Sequence, residues 1–302
     1  MTASPPVLGA LDADASAPFG RDSVVRAVVA EPVTALLVQR ALVMEVAHPT
    51  VAAAVAHHSD FQAHPLRRAW ATTDAAVRLV FGNGRVARGA ARQIYAVHDH
   101  INGPLDGAPG AHPDVEDLGA AGRYSAHDSS LLTWVWATLV DSAETAFTRW
   151  VRPFTAAEAP AFYAEMLAFA RFFGIPEASL PPDRDAFSSY LDGALGDDLL
   201  GTSEQSRALA HDVLWFAHRT VPSPLVRVQR VLALATLDSR IVDRLEIRPD
   251  PADVELGRRL DAWLGAYYRR FPRPPRIMPA LYVAVRGPSI DVAGRIRATL
   301  GR

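Results

Sequence analysis

The sequence contains no cysteine and no lysine, so all 31 of its basic residues are arginine. The absence of cysteine excludes disulfides, thiolate ligation of a haem, cysteine-based zinc sites and thiol nucleophiles. The absence of lysine excludes Schiff-base catalysis and any lysine ligand to a metal. Any chemistry of this chain must therefore be carried by histidine, arginine, carboxylates and hydroxyls.

The chain also lacks a strong excess of charge and long apolar runs. Its formal net charge is −2 over 302 residues, and no basic run suggests a nucleic-acid or membrane-surface partner. No apolar run approaches the roughly 20 residues that a membrane span needs. Residues 1–20 show no basic segment followed by an apolar core, so we expect a flexible N-terminal arm rather than a secretory signal. The sequence thus predicts a cytoplasmic protein.

Apolar residues recur at helical spacing along the chain, and no sustained alternating pattern of a β-strand is present. Pro49 and Pro65 are typical of first helical turns, and Thr155 with Glu158 forms a capping box before another helix. No internal repeat and no interdomain linker is evident. The sequence predicts an all-α fold in which residues 21–302 form a single helical domain of about ten helices.

The stretch from His48 to Gly103 concentrates polar residues inside segments that otherwise resemble buried helix. Gly84 to Gly103 is predicted to be one helix, and its inward stripe ends at His98. His100 lies two residues further on and so points elsewhere. By itself, a histidine on an apolar face is more often a satisfied core residue than a ligand.

Two further residues of this stretch lie on one stripe of the helix that begins at Pro65. Arg68 on a largely apolar stripe needs an anionic partner, which is a neighbouring carboxylate or an anionic group of a ligand. Thr72, one turn later, commonly bonds back to its own helix. His57 and His58 are adjacent and point about 100° apart on a helix, which argues against a shared metal ion.

Two alternative interpretations follow from the residues alone. Three His-Asp dipeptides, at His98, His127 and His211, are compatible with an all-α metal-dependent hydrolase. Such dipeptides also arise by chance, and Asp128 has a second role as a helix cap. A non-catalytic helical carrier of haem or of another apolar ligand is the other alternative.

Five sequence blocks resemble one known family. They are HPTVAAAVAHHSDF, PLRRAWATT, VFG, AVHDHING and YSAHDSSLLTWVWATLVDSA, and they lie within the region from about residue 30 to 280. Together they are similar to the MpaB and latex-clearing-protein family, the rubber-oxygenase catalytic domain. The resemblance implies an all-helical fold with a globin-like core, a haem b cofactor, and cleavage of carbon–carbon double bonds with dioxygen.

The same resemblance implies roles for individual residues. His98 would be the proximal iron ligand, Arg68 and Thr72 the distal polar residues that hold oxygen or a haem propionate, and His48 a second distal candidate. The rubber-cleaving branch has a lysine where this chain has Ala71, and many relatives have a histidine where it has Trp136. The resemblance therefore favours a haem-dependent oxygenase for a small apolar or unsaturated substrate, and it leaves a homodimer open.

Overall fold

In the computed structural model, residues 18–58, 65–104, 123–198, 200–216 and 222–271 are described, and for 65–70 only the backbone is described. The predicted N-terminal arm, the loop predicted after Pro104 and the last predicted helix fall wholly or mostly outside these residues. The described residues form a single domain of α-helices with one short hairpin, which confirms the predicted all-α class. The globin-like arrangement of the core stays a prediction.

The first six helices are α1 (Val24–Val29), α2 (Pro32–Leu36), α3 (Val38–Ala47), α4 (Pro49–His58), α5 (Pro65–Phe81) and α6 (Gly84–His98). The strands β1 (Asn102–Pro104) and β2 (Arg123–Ser125) follow. The remaining helices are α7 (Ser129–Ala146), α8 (Glu158–Ala170), α9 (Arg184–Gly196), α10 (Glu204–Leu214), α11 (Ser223–Thr236), α12 (Ser239–Arg244) and α13 (Pro251–Arg270). A π-helical turn (Phe147–Val151) extends α7, and short 3₁₀ turns cover Arg171–Phe173 and Glu177–Ser179.

Helix α7 is the central element of the packing. Trp136 belongs to one large apolar cluster, Trp134 to a second, and Ala146 to a third. Residues two positions apart point to nearly opposite sides of a helix, so α7 joins the first two clusters directly.

The boundary between α3 and α4 follows from His48-Pro49. His48 adopts an extended backbone (φ −74°, ψ 120°), as the residue before a proline prefers. Pro49 then occupies the first turn of α4, where its missing N–H costs nothing. Helix α3 packs against α4, α7, α10 and α11, so this boundary lies deep in the domain.

The predicted helix from Gly84 to Gly103 is wrong beyond His98. Residues Asn102–Pro104 instead pair with Arg123–Ser125 in an antiparallel hairpin, in which Gly103 lies opposite Tyr124. A Cβ on Gly103 would come within 2.9 Å of the Tyr124 hydroxyl oxygen. The glycine therefore admits the tyrosine ring beside the strand rather than ending a helix.

Candidate functional site

His98 is the last residue of α6, and its half-buried side chain lines an open cleft with about 700 Å³ of empty space. We call this the His98 cleft. Most of its wall is aliphatic and comes from α4 and α7, with Val51, Val55, Leu131 and Val135 among the members. His100 is exposed. His98 thus faces inward, as its place on the apolar stripe of α6 predicted, whereas His100 is exposed because it lies in the turn after α6 rather than on another face of the helix.

Three further polar side chains line the His98 cleft: Glu45 from α3, His58 from α4 and Tyr124 from β2. Tyr124 is almost fully buried, and burial raises the pKa of its phenol while Arg123 opposes the shift. Its side chain thus remains a neutral hydroxyl at physiological pH. The cleft combines a hydrocarbon wall with two imidazoles, a phenol and a carboxylate.

His57 and His58 hold the hairpin against the end of α4 rather than sharing an ion. The Nδ1 atom of His57 lies 3.1 Å from the Tyr124 hydroxyl, and Nε2 of His58 lies 3.1 Å from the carbonyl oxygen of Asn102. The two imidazoles approach the tyrosine ring at different angles, His57 stacked (28° between the ring planes) and His58 edge-on (81°). This arrangement agrees with the prediction that the adjacent histidines do not converge.

Thr72 lines a second, larger cavity with about 1,100 Å³ of empty space, which we call the apolar chamber. Helices α1, α2, α3, α5, α7 and α8 enclose it, and its polar members are Thr34, Glu45, Thr72, Thr73 and Ser142. Glu45 lines both cavities, so the chamber and the His98 cleft are neighbours that meet at this residue.

Sequence reasoning did not single out Glu45, although one signal was present. Its carboxylate lies in a helix whose other residues, apart from Gln39 and Arg40, are all apolar, and charged groups seldom occupy such positions without a partner or a function. The indole N–H of Trp134 donates to the carbonyl oxygen of Glu45 (3.3 Å), which ties α3 to α7 at this point. No comparable pattern in the sequence marks Tyr124, because its place in the cleft depends on the pairing of β1 with β2.

The other two predicted site residues are Arg68 and His48, and neither side chain is seen in a cavity wall among the described residues. Arg68 falls within α5, and its side chain is outside the described residues. His48 lies at the α3–α4 boundary, where its Nδ1 accepts a hydrogen bond from the backbone N–H of Thr50 (3.2 Å), and it lines neither cavity. Burial lowers the pKa of His48 to about 4, partly offset by Asp197. The ring is thus neutral at physiological pH.

The three His-Asp dipeptides do not form a single centre. His127 bonds to Asp99 rather than to its neighbour Asp128 (Nε2–Oδ1 2.8 Å), and its ring lies 6.0 Å from that of His98. His211 is exposed on α10 and stacks on Trp215. Within the described part of the chain, no group of three His, Cys, Asp or Glu side chains is placed to hold a metal ion.

An all-helical domain with a histidine-lined cleft beside an apolar cavity is compatible with an oxygenase, and comparison with known families agrees. The family model described as the ER-bound oxygenase mpaB/B′ and rubber oxygenase catalytic domain matches residues 25–266. The chain therefore belongs to this family, as its motifs predicted. No curated protein and no solved structure gives a significant match. Among the described residues, no helix is long and apolar enough to cross a membrane.

Proposed function

We propose that this protein is a haem b-dependent oxygenase that acts on a small apolar or unsaturated organic substrate with dioxygen. The observation that carries the proposal is the position of His98, whose imidazole lines an aliphatic cleft that meets the apolar chamber at Glu45. Membership of an oxygenase family supports the reaction class. A cytoplasmic location remains part of the proposal.

The side chains that line the His98 cleft fit a haem better than a bare metal ion. A haem would carry most of the iron's ligands itself and would need only one side chain from the protein, for which an imidazole is a common choice. His98 offers one imidazole within a largely aliphatic wall, and the chain has no thiolate to compete with it. Haem b, when bound, supplies the redox-active iron that activates dioxygen.

The apolar chamber is suited to a substrate without hydrogen-bonding groups. The hydroxyl of Thr34 donates to the carbonyl oxygen of Val28 (2.7 Å), and that of Ser142 accepts from the Arg40 guanidinium (2.8 Å). Because these hydroxyls are engaged within the protein, the wall around them presents mainly hydrocarbon. A polar ligand would lose its hydrogen bonds to water on entering without replacing them.

We assign the distal polar role to Thr72 and Arg68, one turn apart on α5. Thr72 is among the residues that line the chamber, at its exposed side. Preorganised donors of this kind stabilise charge that develops on a reacting oxygen. His48, which lines neither cavity, keeps the distal role only as a prediction from the family resemblance.

An absorption spectrum of the purified protein reconstituted with haem tests the proposal. We expect a Soret band that is lost or strongly shifted in His98→Ala and retained in His100→Ala, which replaces an exposed histidine two positions away. A wild-type protein that stays colourless, or equal losses in both variants, would overturn it. Oxygen consumption with an apolar alkene then distinguishes an oxygenase from a haem carrier, which would bind haem without turnover.

A further inference from the structure

The end of α6 and the turn between β2 and α7 meet in a hydrogen-bonded pair beside His98. The Nε2 atom of His127 lies 2.8 Å from Oδ1 of Asp99, and about a quarter of each side chain is exposed (28% and 23%). Asp99 directly follows His98 in the chain, whereas His127 comes from 28 residues further on. The pair therefore joins two separate parts of the fold at the proposed ligand.

The His127 ring packs near two aromatic rings of α6. It packs on Tyr95 with 4.3 Å between ring centroids, and it meets His98 edge-on, at 6.0 Å and an interplanar angle of 76°. Tyr95 and His98 are three residues apart and so share one face of α6. One side of the His98 imidazole is thus bounded by a ring whose own orientation is fixed by Asp99.

The backbone around His127 is equally constrained. Its N–H donates to the Ser125 hydroxyl (3.1 Å), and the N–H of Ser125 donates to the Asp128 carboxylate (3.1 Å). The N–H of Ala126 donates to the carbonyl oxygen of Ile101 (2.8 Å), which ties the turn to the segment after α6. With backbone and ring both held, His127 has little freedom to move away from His98.

We propose that His127, held by Asp99, is the positioning residue of His98 and fixes the rotation of its imidazole in the cleft. For the effect on haem, this inference rests on the proposed function. Groups that orient a metal ligand from outside its coordination sphere commonly change metal affinity by 10- to 100-fold when replaced. Neither Asp99 nor His127 lines the His98 cleft, so their influence must pass through His98.

The test compares Asp99→Asn, His127→Phe and the double variant with Asp128→Asn in the full-length protein. Asp99→Asn is nearly isosteric, and His127→Phe keeps a ring beside Tyr95 while removing the hydrogen bond. Asp128→Asn removes the neighbouring negative charge, which does not bond to the ring, and keeps a side-chain oxygen that can accept from the Ser125 N–H. Two properties are measured: the rate of haem loss to an excess of apomyoglobin, and the NMR signals of the His98 imidazole in histidine-labelled protein without haem.

We expect haem loss to accelerate by about tenfold in both single variants, the low end of the range for groups that hydrogen-bond a metal ligand, because the contact shown between His127 and His98 is edge-on ring packing. The double variant should be no faster than the more affected single variant, because the two residues act as one unit. The His98 imidazole signals should shift or broaden in the same variants and stay unchanged in Asp128→Asn. Circular dichroism identifies a variant that has lost its helices, and the comparison then uses the other single variant.

The two readouts separate the failure of this inference from the failure of the proposed function. If the wild type binds no haem, the proposed function falls, and the imidazole signals alone decide whether His127 positions His98. If haem binds but both readouts of Asp99→Asn and His127→Phe match the wild type, the proposed function stands and the positioning role is wrong. A response of Asp128→Asn equal to theirs would also contradict the role.

Discussion

Arg40 and Asp141 form an ion pair between α3 and α7, with 2.6 Å between Nη2 and Oδ2. The arginine side chain is only 5% exposed, and its guanidinium also donates to the Ser142 hydroxyl (2.8 Å) and the carbonyl oxygen of Thr236 (3.1 Å). Three helices are joined by one side chain. Because Ser142 lines the apolar chamber, the same side chain supports the wall of the proposed substrate site.

We expect Arg40→Met to destabilise the protein by about 3 kcal/mol, since removing one partner of a buried pair leaves the other charge uncompensated. Arg258→Met is the matched control, because Arg258 pairs with Glu255 at the surface. Exposed pairs contribute at most about 1 kcal/mol. Urea unfolding followed by circular dichroism measures both. Equal losses in the two variants would show that burial of Arg40 has no special role in stability.

His48 predicts a specific pH dependence of stability. Its pKa in the folded protein is lowered by burial from 6.5 to about 4. Between these values the unfolded chain binds a proton that the folded chain does not, so stability falls as the pH falls from about 6.5 to about 4. The full effect is on the order of 3 kcal/mol. His48→Asn retains an acceptor for the Thr50 N–H and should flatten this part of the curve.

The measurement is the free energy of unfolding in urea at several pH values between 7 and 4. His211→Asn is the control, because this histidine is exposed on α10 and should leave the slope as it is in the wild type. If His48→Asn shows the same acid slope as the wild type, burial of His48 does not cause it. The prediction concerns stability alone and does not depend on the proposed function.

The features that the sequence predicted well are those whose causes are local. Pro49 begins α4, and the reciprocal bonds of the capping box are present: the Glu158 carboxylate accepts from the N–H of Thr155 (2.9 Å), and the Thr155 hydroxyl accepts from the N–H of Glu158 (3.2 Å). Gly174 ends the helical segment that begins at Glu158, with a left-handed backbone (φ 76°). The inward direction of His98 follows from helical periodicity. In each case residues within a few positions determine the outcome.

The features that sequence reasoning missed depend on distant pairings. The hairpin brings Gly103 to Tyr124, 21 residues later, and nothing around Gly103 distinguishes a strand from the end of a helix. Asp99 bonds to His127, although each has another possible partner beside it in the sequence. His98 directly precedes Asp99, and Asp128 directly follows His127. The position of Glu45 between two cavities depends on the packing of α3 against the other helices that line them. Such contacts arise from tertiary packing, which residue spacing does not reveal.

The positions of the two cavities predict that two similar substitutions affect different properties of the protein. Ala54 lines the His98 cleft and Ala76 lines the apolar chamber, and both are half-buried on helices. A phenyl group at either position fills space at a packing cost of about 1–3 kcal/mol. Ala54→Phe should lower haem occupancy. Ala76→Phe should leave haem occupancy unchanged and weaken binding of an apolar ligand such as Nile red by about tenfold, which corresponds to about 1.4 kcal/mol of lost contact.

Each variant is the control for the other, because both add the same group to a helical alanine that lines a cavity. Soret absorbance per protein measures haem occupancy, and a fluorescence titration with Nile red measures binding to the chamber. Separate effects would support a division of roles in which the cleft holds the cofactor and the chamber holds the substrate. If both variants lower haem occupancy to the same degree, the haem must occupy space in both cavities, and Thr72 would then lie beside the cofactor rather than beside the substrate alone.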